Sequence, residues 1–142
     1  MNRSLDADPS PAERSPAKRR RSLVSKFGCA FCGLKTGIRR ESNFFVHLIV
    51  AALVVATACV LRVSIVEWSL LALCIALVLA AEMFNTAIES LARAVSGEYH
   101  ADIKEALDTS SASVLIASLG AAIVGAAIFI HRLGAILHWW GE

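Results

Sequence analysis

Glu82, Asn85 and Glu89 stand at i, i+3 and i+7 near the end of an apolar run that begins around Ser69. A helix over this stretch presents two carboxylates and an amide on one face, inside a segment otherwise suited to hydrocarbon. Ionisable groups persist at such depth only against a partner, an ion or a water-filled cavity, which makes these three residues candidates for chemistry. Glu41, just before the first long apolar run, adds a third carboxylate. Glu41 and Glu89, from different helices, are the kind of oxygen donors a hard divalent cation takes together with substrate phosphates. Glu82 lies deeper, where a lipid hydroxyl reaches, and is the residue type that accepts a proton from it. The competing reading is that these groups only satisfy one another or a polar contact between helices.

The elements that position them follow from hydropathy. The chain has 142 residues, 56% hydrophobic and 18% charged, with a mean hydropathy of +0.61; this composition is that of an integral membrane protein. Residues 1–22 combine Pro9, Pro11 and Pro16 with the run Lys18-Arg19-Arg20-Arg21, and predict a disordered basic cytoplasmic tail. Residues 23–142 form the membrane domain. Leu23, Phe27, Ala30, Phe31 and Leu34 recur at helical intervals through Arg40, as in an amphipathic helix lying in the interface. Three spans are predicted, at about 44–61, 65–94 and 110–133, with a short outer turn from Arg62 to Trp68 and a polar cytoplasmic loop from Ser96 to Asp108. Most of the fourteen Lys and Arg residues precede the first span, which keeps the amino terminus in the cytoplasm and places the carboxyl terminus, with Trp139 and Trp140, outside. Ser113, Ala117, Ala121 and Gly125 put small residues on one face of the last span, as for close helix approach. Because three spans enclose little protected space, a homo-oligomer with shared sites is expected.

Other motifs carry less. Cys29 and Cys32 form a Cys-x-x-Cys, but no second pair at metal-ligand spacing accompanies them. Gly28 to Thr36 is one residue too long for a phosphate-binding loop, since Leu34 separates Gly33 from Lys35. His47 reads as a hydrogen-bonded interfacial side chain, having no partner in sequence. The tail's charge reads as membrane attraction, not nucleic-acid binding.

Glu82-Met-Phe-Asn-Thr-Ala-Ile-Glu89, the downstream Glu98-Tyr99-His100, the upstream Arg40-Glu41-Ser-Asn43-Phe44 and the three-span layout resemble the small bacterial integral-membrane diacylglycerol kinases, which include undecaprenol kinase. The resemblance covers about Ser25 to Leu133. It implies an all-α membrane protein with an amphipathic surface helix and three transmembrane helices, assembled as a homotrimer in the bacterial inner membrane. It further implies transfer of the γ-phosphate of ATP to a lipid hydroxyl, of diacylglycerol or undecaprenol, with Mg2+ as cofactor. Residue by residue, Glu82 takes the place of the general base and acceptor contact, Glu41 and Glu89 those of the metal carboxylates, and Asn85 that of the residue orienting the phosphate or the base. Cys29, Glu41, Glu89, Glu98, Tyr99, His100 and Asp108 fall where the family contacts the nucleotide. The family's Lys-Asp is Leu107-Asp108 here, so a phosphate-neutralising cation is missing at that position; Lys104, one turn earlier, Lys26 and Arg93 are candidates to replace it. Ser110-Ser111-Ala112-Ser113 also departs from the usual Ala-Gly-containing start of the third span. The alternatives are a non-enzymatic membrane module whose carboxylates line a conduction path, and a degenerate homologue that binds nucleotide with little activity.

Overall fold

A computed structural model describes residues 23–40, 42–95 and 97–137, with side chains for 23–35 and from Phe44 onward. The basic tail, Glu41, Trp139 and Trp140 lie outside the described residues, as does the side chain of Asn43. The described residues form four helices and no strand: α1 (Leu23–Arg40), α2 (Ser42–Val60), α3 (Ile65–Val95) and α4 (Ala101–Ile136). The chain divides into two compact units, Met1–Cys32 and Gly33–Glu142. In the first, Leu23, Val24, Phe27 and Phe31 of α1 are all exposed, as the apolar face of an interfacial helix is until lipid covers it.

α2 is apolar from Phe44 to Val60, and its end is built by a Schellman motif. The Arg62 amide donates to Cys59 O at 3.3 Å and that of Val63 to Ala58 O at 3.2 Å, with Arg62 in the left-handed region at φ 49°. Val63 then packs with Ala58 in the same apolar cluster. α3 starts at once. Ser64 and Glu67 make a reciprocal capping box: the Ser64 amide donates to Glu67 Oε2 at 2.6 Å, and the Glu67 amide to Ser64 Oγ at 3.4 Å. The turn between α2 and α3 is therefore shorter than the expected Arg62–Trp68 stretch, because the box recruits Glu67 and Trp68 into the first turn of α3. Trp68 is half-buried and packs against the cluster of Ala58, Val63, Leu71 and Ile128. Glu67 also receives a forked pair of hydrogen bonds from Arg132, Nε lying 3.0 Å from Oε1 and 2.8 Å from Oε2 while Nη2 donates to Oε2. This fork ties the first turn of α3 to the last turns of α4.

α3 and α4 are 31 and 36 residues long, with hydropathies that qualify both to cross a membrane. At helical rise they extend for about 46 and 54 Å, well beyond a hydrocarbon core of about 30 Å. α4 has almost no apolar-polar asymmetry around its axis, and Leu115, Ile116, Leu119, Ile123 and Ile130 are exposed along it. Such a surface needs lipid or another apolar chain against it. The expected polar loop from Ser96 to Asp108 is shorter than the sequence suggested, since α4 begins at Ala101. Asp102 lies in the first turn, where a negative charge favours the helix terminus, and Lys104 pairs with Asp108 one turn on, at 2.5 Å.

The small-residue face of α4 borders open space within the chain. Ala117 and Gly125 are buried, yet a Cβ built on Gly125 would meet nothing within 4 Å. The space beside it is a cavity of about 310 Å³ enclosed by α2, α3 and α4, with His47, Leu71, Val78, Ser118, Gly125 and Phe129 among its lining.

Candidate functional site

The polar residues of α3 are buried where the helix meets α4. Glu82 is 3% exposed, Asn85 6%, Thr86 7% and, from α4, Ser110 5%. Four polar residues at this depth in an apolar protein require partners, and Asn85 has them on both ends of its amide. Its Nδ2 donates to Glu89 Oε1 at 2.8 Å, while its Oδ1 accepts from Ser110 Oγ at 2.7 Å and from Ser111 Oγ at 3.4 Å. The two serine hydroxyls also lie 2.9 and 3.0 Å from Leu107 O, so each proton is shared between a side-chain and a backbone acceptor. Asn85 is thus held from both sides, its amide nitrogen fixed on a carboxylate and its oxygen on the start of the apolar stretch of α4. Packing between α3 and α4 sets its orientation before any ligand arrives.

Glu89 is half-buried one turn further on, with Oε2 3.6 Å from Nη1 of Arg93. One oxygen is engaged by a neutral amide and the other faces a mostly exposed guanidinium, which leaves lone pairs directed outward. A carboxylate so placed suits a hard cation that keeps part of its coordination for water and phosphate. Among the described residues, no group of three or more His, Cys, Asp and Glu side chains gathers closely enough to hold a metal ion alone.

Glu82 lies about two turns from Glu89 toward the membrane interior. His47 of α2 approaches it, Nε2 standing 4.0 Å from Oε2, the two side chains being 22% and 4% exposed. This contact and the two serines are what a reading of sequence missed. His47 is far from α3 along the chain, and Ser110 and Ser111 looked like departures from a pattern when they in fact anchor Asn85.

The remaining candidates lie toward the same end of α3 and α4. Glu98, Tyr99 and His100 are exposed in the connection between the helices, Tyr99 strongly so. Lys104 and Asp108 are exposed on the first turns of α4 as an ion pair, and Leu107 between them is half-buried. Arg93 is a second cation at this end, close to Glu89 and 3.3 Å from Ser90 Oγ. Cys29 is exposed on α1, in the other compact unit. Glu41 falls outside the described residues.

The chain is similar to known proteins. The chain matches a family described as prokaryotic diacylglycerol kinase over residues 28–129. A diacylglycerol kinase of Synechocystis sp. is 30% identical over 117 residues, covering 82% of this chain and 67% of that protein. An undecaprenol kinase of Bacillus subtilis is 29% identical over 121 residues, covering 82% and 98%. A diacylglycerol kinase of Escherichia coli is 30% identical over 112 residues, covering 79% and 92%.

Proposed function

The chain belongs to the prokaryotic diacylglycerol kinase family, and on that premise we propose that it transfers the γ-phosphate of ATP to the hydroxyl of a membrane lipid, diacylglycerol or undecaprenol. The observation that carries this reading is the row of Glu82, Asn85 and Glu89 on α3, locked to α4 through Ser110 and placed where an apolar helix emerges from its hydrocarbon stretch. As the lipid oxygen bonds to the γ-phosphorus and the bond to the departing ADP breaks, the hydroxyl proton passes to Glu82. Asn85, already clamped, holds Glu89 in register. Glu41 and Glu89 would hold Mg2+, which when bound supplies positive charge to the β- and γ-phosphates. Lys104 and Arg93 lie at the end of the helices where the triphosphate would add further negative charge, and Lys104 takes over from the lysine replaced by Leu107. Glu98, Tyr99, His100 and Asp108, with Cys29 and Glu41, form the nucleotide side of the site.

The protein is read as a homotrimer of the bacterial inner membrane, with the tail of residues 1–22 and the amino terminus in the cytoplasm and the carboxyl terminus outside. α1 lies in the inner interface, α2 to α4 each cross, and the sites are shared between subunits. The exposed apolar sides of α3 and α4 support such an assembly, since a lone chain leaves most of both helices uncovered. The conduction-path alternative is not favoured, because the polar row stops at Glu82 and gives way to Leu71, Val78 and the apolar cavity. Transfer of labelled phosphate from ATP to a panel of lipids in mixed micelles tests the reading. Labelling of diacylglycerol or undecaprenol is the expected result, and labelling of neither overturns it.

A further inference from the structure

Arg62 occupies a backbone position that ordinarily belongs to glycine. As the left-handed residue that closes α2, at φ 49°, it carries a steric cost that glycine would not. Its side chain is exposed, and among the described residues it has no hydrogen bond and no ion pair. The second guanidinium at this end of the bundle, that of Arg132, is held on Glu67 by Nε and Nη2, which leaves both protons of Nη1 without an acceptor among the described residues. Glu67 is already occupied by Arg132 and by the Ser64 amide. With His131 neutral, the three charged side chains here, Arg62, Glu67 and Arg132, leave one positive charge unbalanced. Both arginines border a single open hollow of about 370 Å³, whose other walls are Val60, Leu61, Ala135 and Ile136.

A strained arginine without a partner, a second one half open and oriented by its fork, and an apolar ledge between them share one complement. We infer that this hollow binds the phosphate of an anionic phospholipid: the headgroup oxygens accept hydrogen bonds from Arg62 and from Nη1 of Arg132, and the acyl chains run down over the apolar side chains. Guanidinium groups present paired donors to phosphate oxygens, and the unbalanced charge favours a headgroup of net negative charge over a zwitterionic one. The inference goes beyond lipid phosphorylation and rests only on that reading's placement of α2 to α4 across the membrane, which sets this end of the bundle in a headgroup layer. A lipid so held joins the turn between α2 and α3 to the last turns of α4, at the end of α3 remote from Glu89. Its role is binding alone, and no covalent bond changes.

The test uses the full-length protein in a neutral detergent, without ATP, and follows thermal unfolding as phosphatidylglycerol, phosphatidylcholine or inorganic phosphate is added. In the parent protein phosphatidylglycerol raises the Tm in a saturable way, and phosphatidylcholine does so less. Inorganic phosphate, which has no chains to lay on the apolar wall, leaves the Tm unchanged. Arg62→Gln weakens the apparent affinity for phosphatidylglycerol about tenfold or more, the size of a lost hydrogen bond to a charged group. Arg62→Gly loses the lipid response as well, yet without lipid it unfolds at or above the parental temperature, because glycine takes the left-handed position freely. Equal lipid responses in the parent and both variants overturn the inference, as does an equal rise with phosphatidylcholine or with inorganic phosphate. An Arg62→Gly protein that unfolds well below the parent without lipid also overturns it, by showing the side chain to be structural. Because the measurement needs no turnover, failed binding leaves the kinase reading standing, and failed phosphate transfer leaves the headgroup site standing.

Discussion

At the scale of single residues, the proposed site consists of one proton acceptor and a clamp that keeps its neighbours aligned. Glu82→Gln retains volume and polarity but cannot take the hydroxyl proton, so phosphate transfer falls by about 10²- to 10⁴-fold, while thermal unfolding in detergent stays near that of the parent. Near-parental turnover in a folded Glu82→Gln protein removes the base assignment. Ser110→Ala has a smaller effect: it deletes one donor to Asn85 Oδ1, about 0.5–1.5 kcal/mol, and Ser111 at 3.4 Å replaces it poorly. A loss of a few-fold in kcat, restored by Ser110→Thr, is the expected outcome in steady-state assays. The α3 row was legible from sequence because a helix repeats every 3.6 residues and the three residues share one strand of that repeat. His47 and Ser110 were not, since their partners come from other helices. The Ser110 hydroxyl reaches an oxygen 25 positions away, and no local spacing encodes such a contact.

At the scale of elements, hydropathy located the helices well and missed chiefly the start of α4. α2 and α3 begin and end within two residues of the expected spans, since apolar composition persists almost to both termini. α4 was expected to start near Ser110 because its first turns are polar. Polarity tracks exposure to water, however, and the Lys104–Asp108 pair and Asp102 support helix in water as well as Leu does in lipid. This pair frames a test of the Leu107 substitution. If Lys104 serves the phosphates, Lys104→Ala raises the KM for ATP or lowers turnover about tenfold to a hundredfold, and Leu107→Lys in the same chain restores it. No effect of Lys104→Ala, together with a gain from Leu107→Lys alone, shows a site weakened at this position. Within a single chain, the open space beside Gly125 allows a methyl group. Gly125→Ala therefore improves helix propensity by about 1 kcal/mol without a clash, and a raised Tm in detergent is the outcome that verifies it.

At the scale of the whole molecule, the proposed sharing of sites between subunits makes activity a property of the assembly. Subunits carrying Glu41→Gln and subunits carrying Glu82→Gln are each inactive alone; co-expressed and purified through two different tags, mixed assemblies regain part of the activity, because a site can draw each intact carboxylate from a different chain. Mixtures no more active than either variant place a complete site within one chain. The outer end of the molecule has its own bearing on that site. The Glu67–Arg132 fork, with Trp68 beside it, fastens α3 to α4 at one boundary of the hydrocarbon, and from there α3 runs on without a break. Counted from Glu67 at helical rise, Glu82 lies about 22 Å along the axis and Glu89 about 33 Å, on either side of the roughly 30 Å that the hydrocarbon core occupies. On the proposed topology, α3 is in effect a ruler whose zero mark is an ion pair on one face of the membrane and whose reading is taken on the other. A bilayer a few ångströms thicker draws Glu89 toward the acyl chains, and a thinner one lifts Glu82 toward water, so membrane thickness itself sets how well the proton acceptor and the cation ligand straddle the surface where lipid and nucleotide meet.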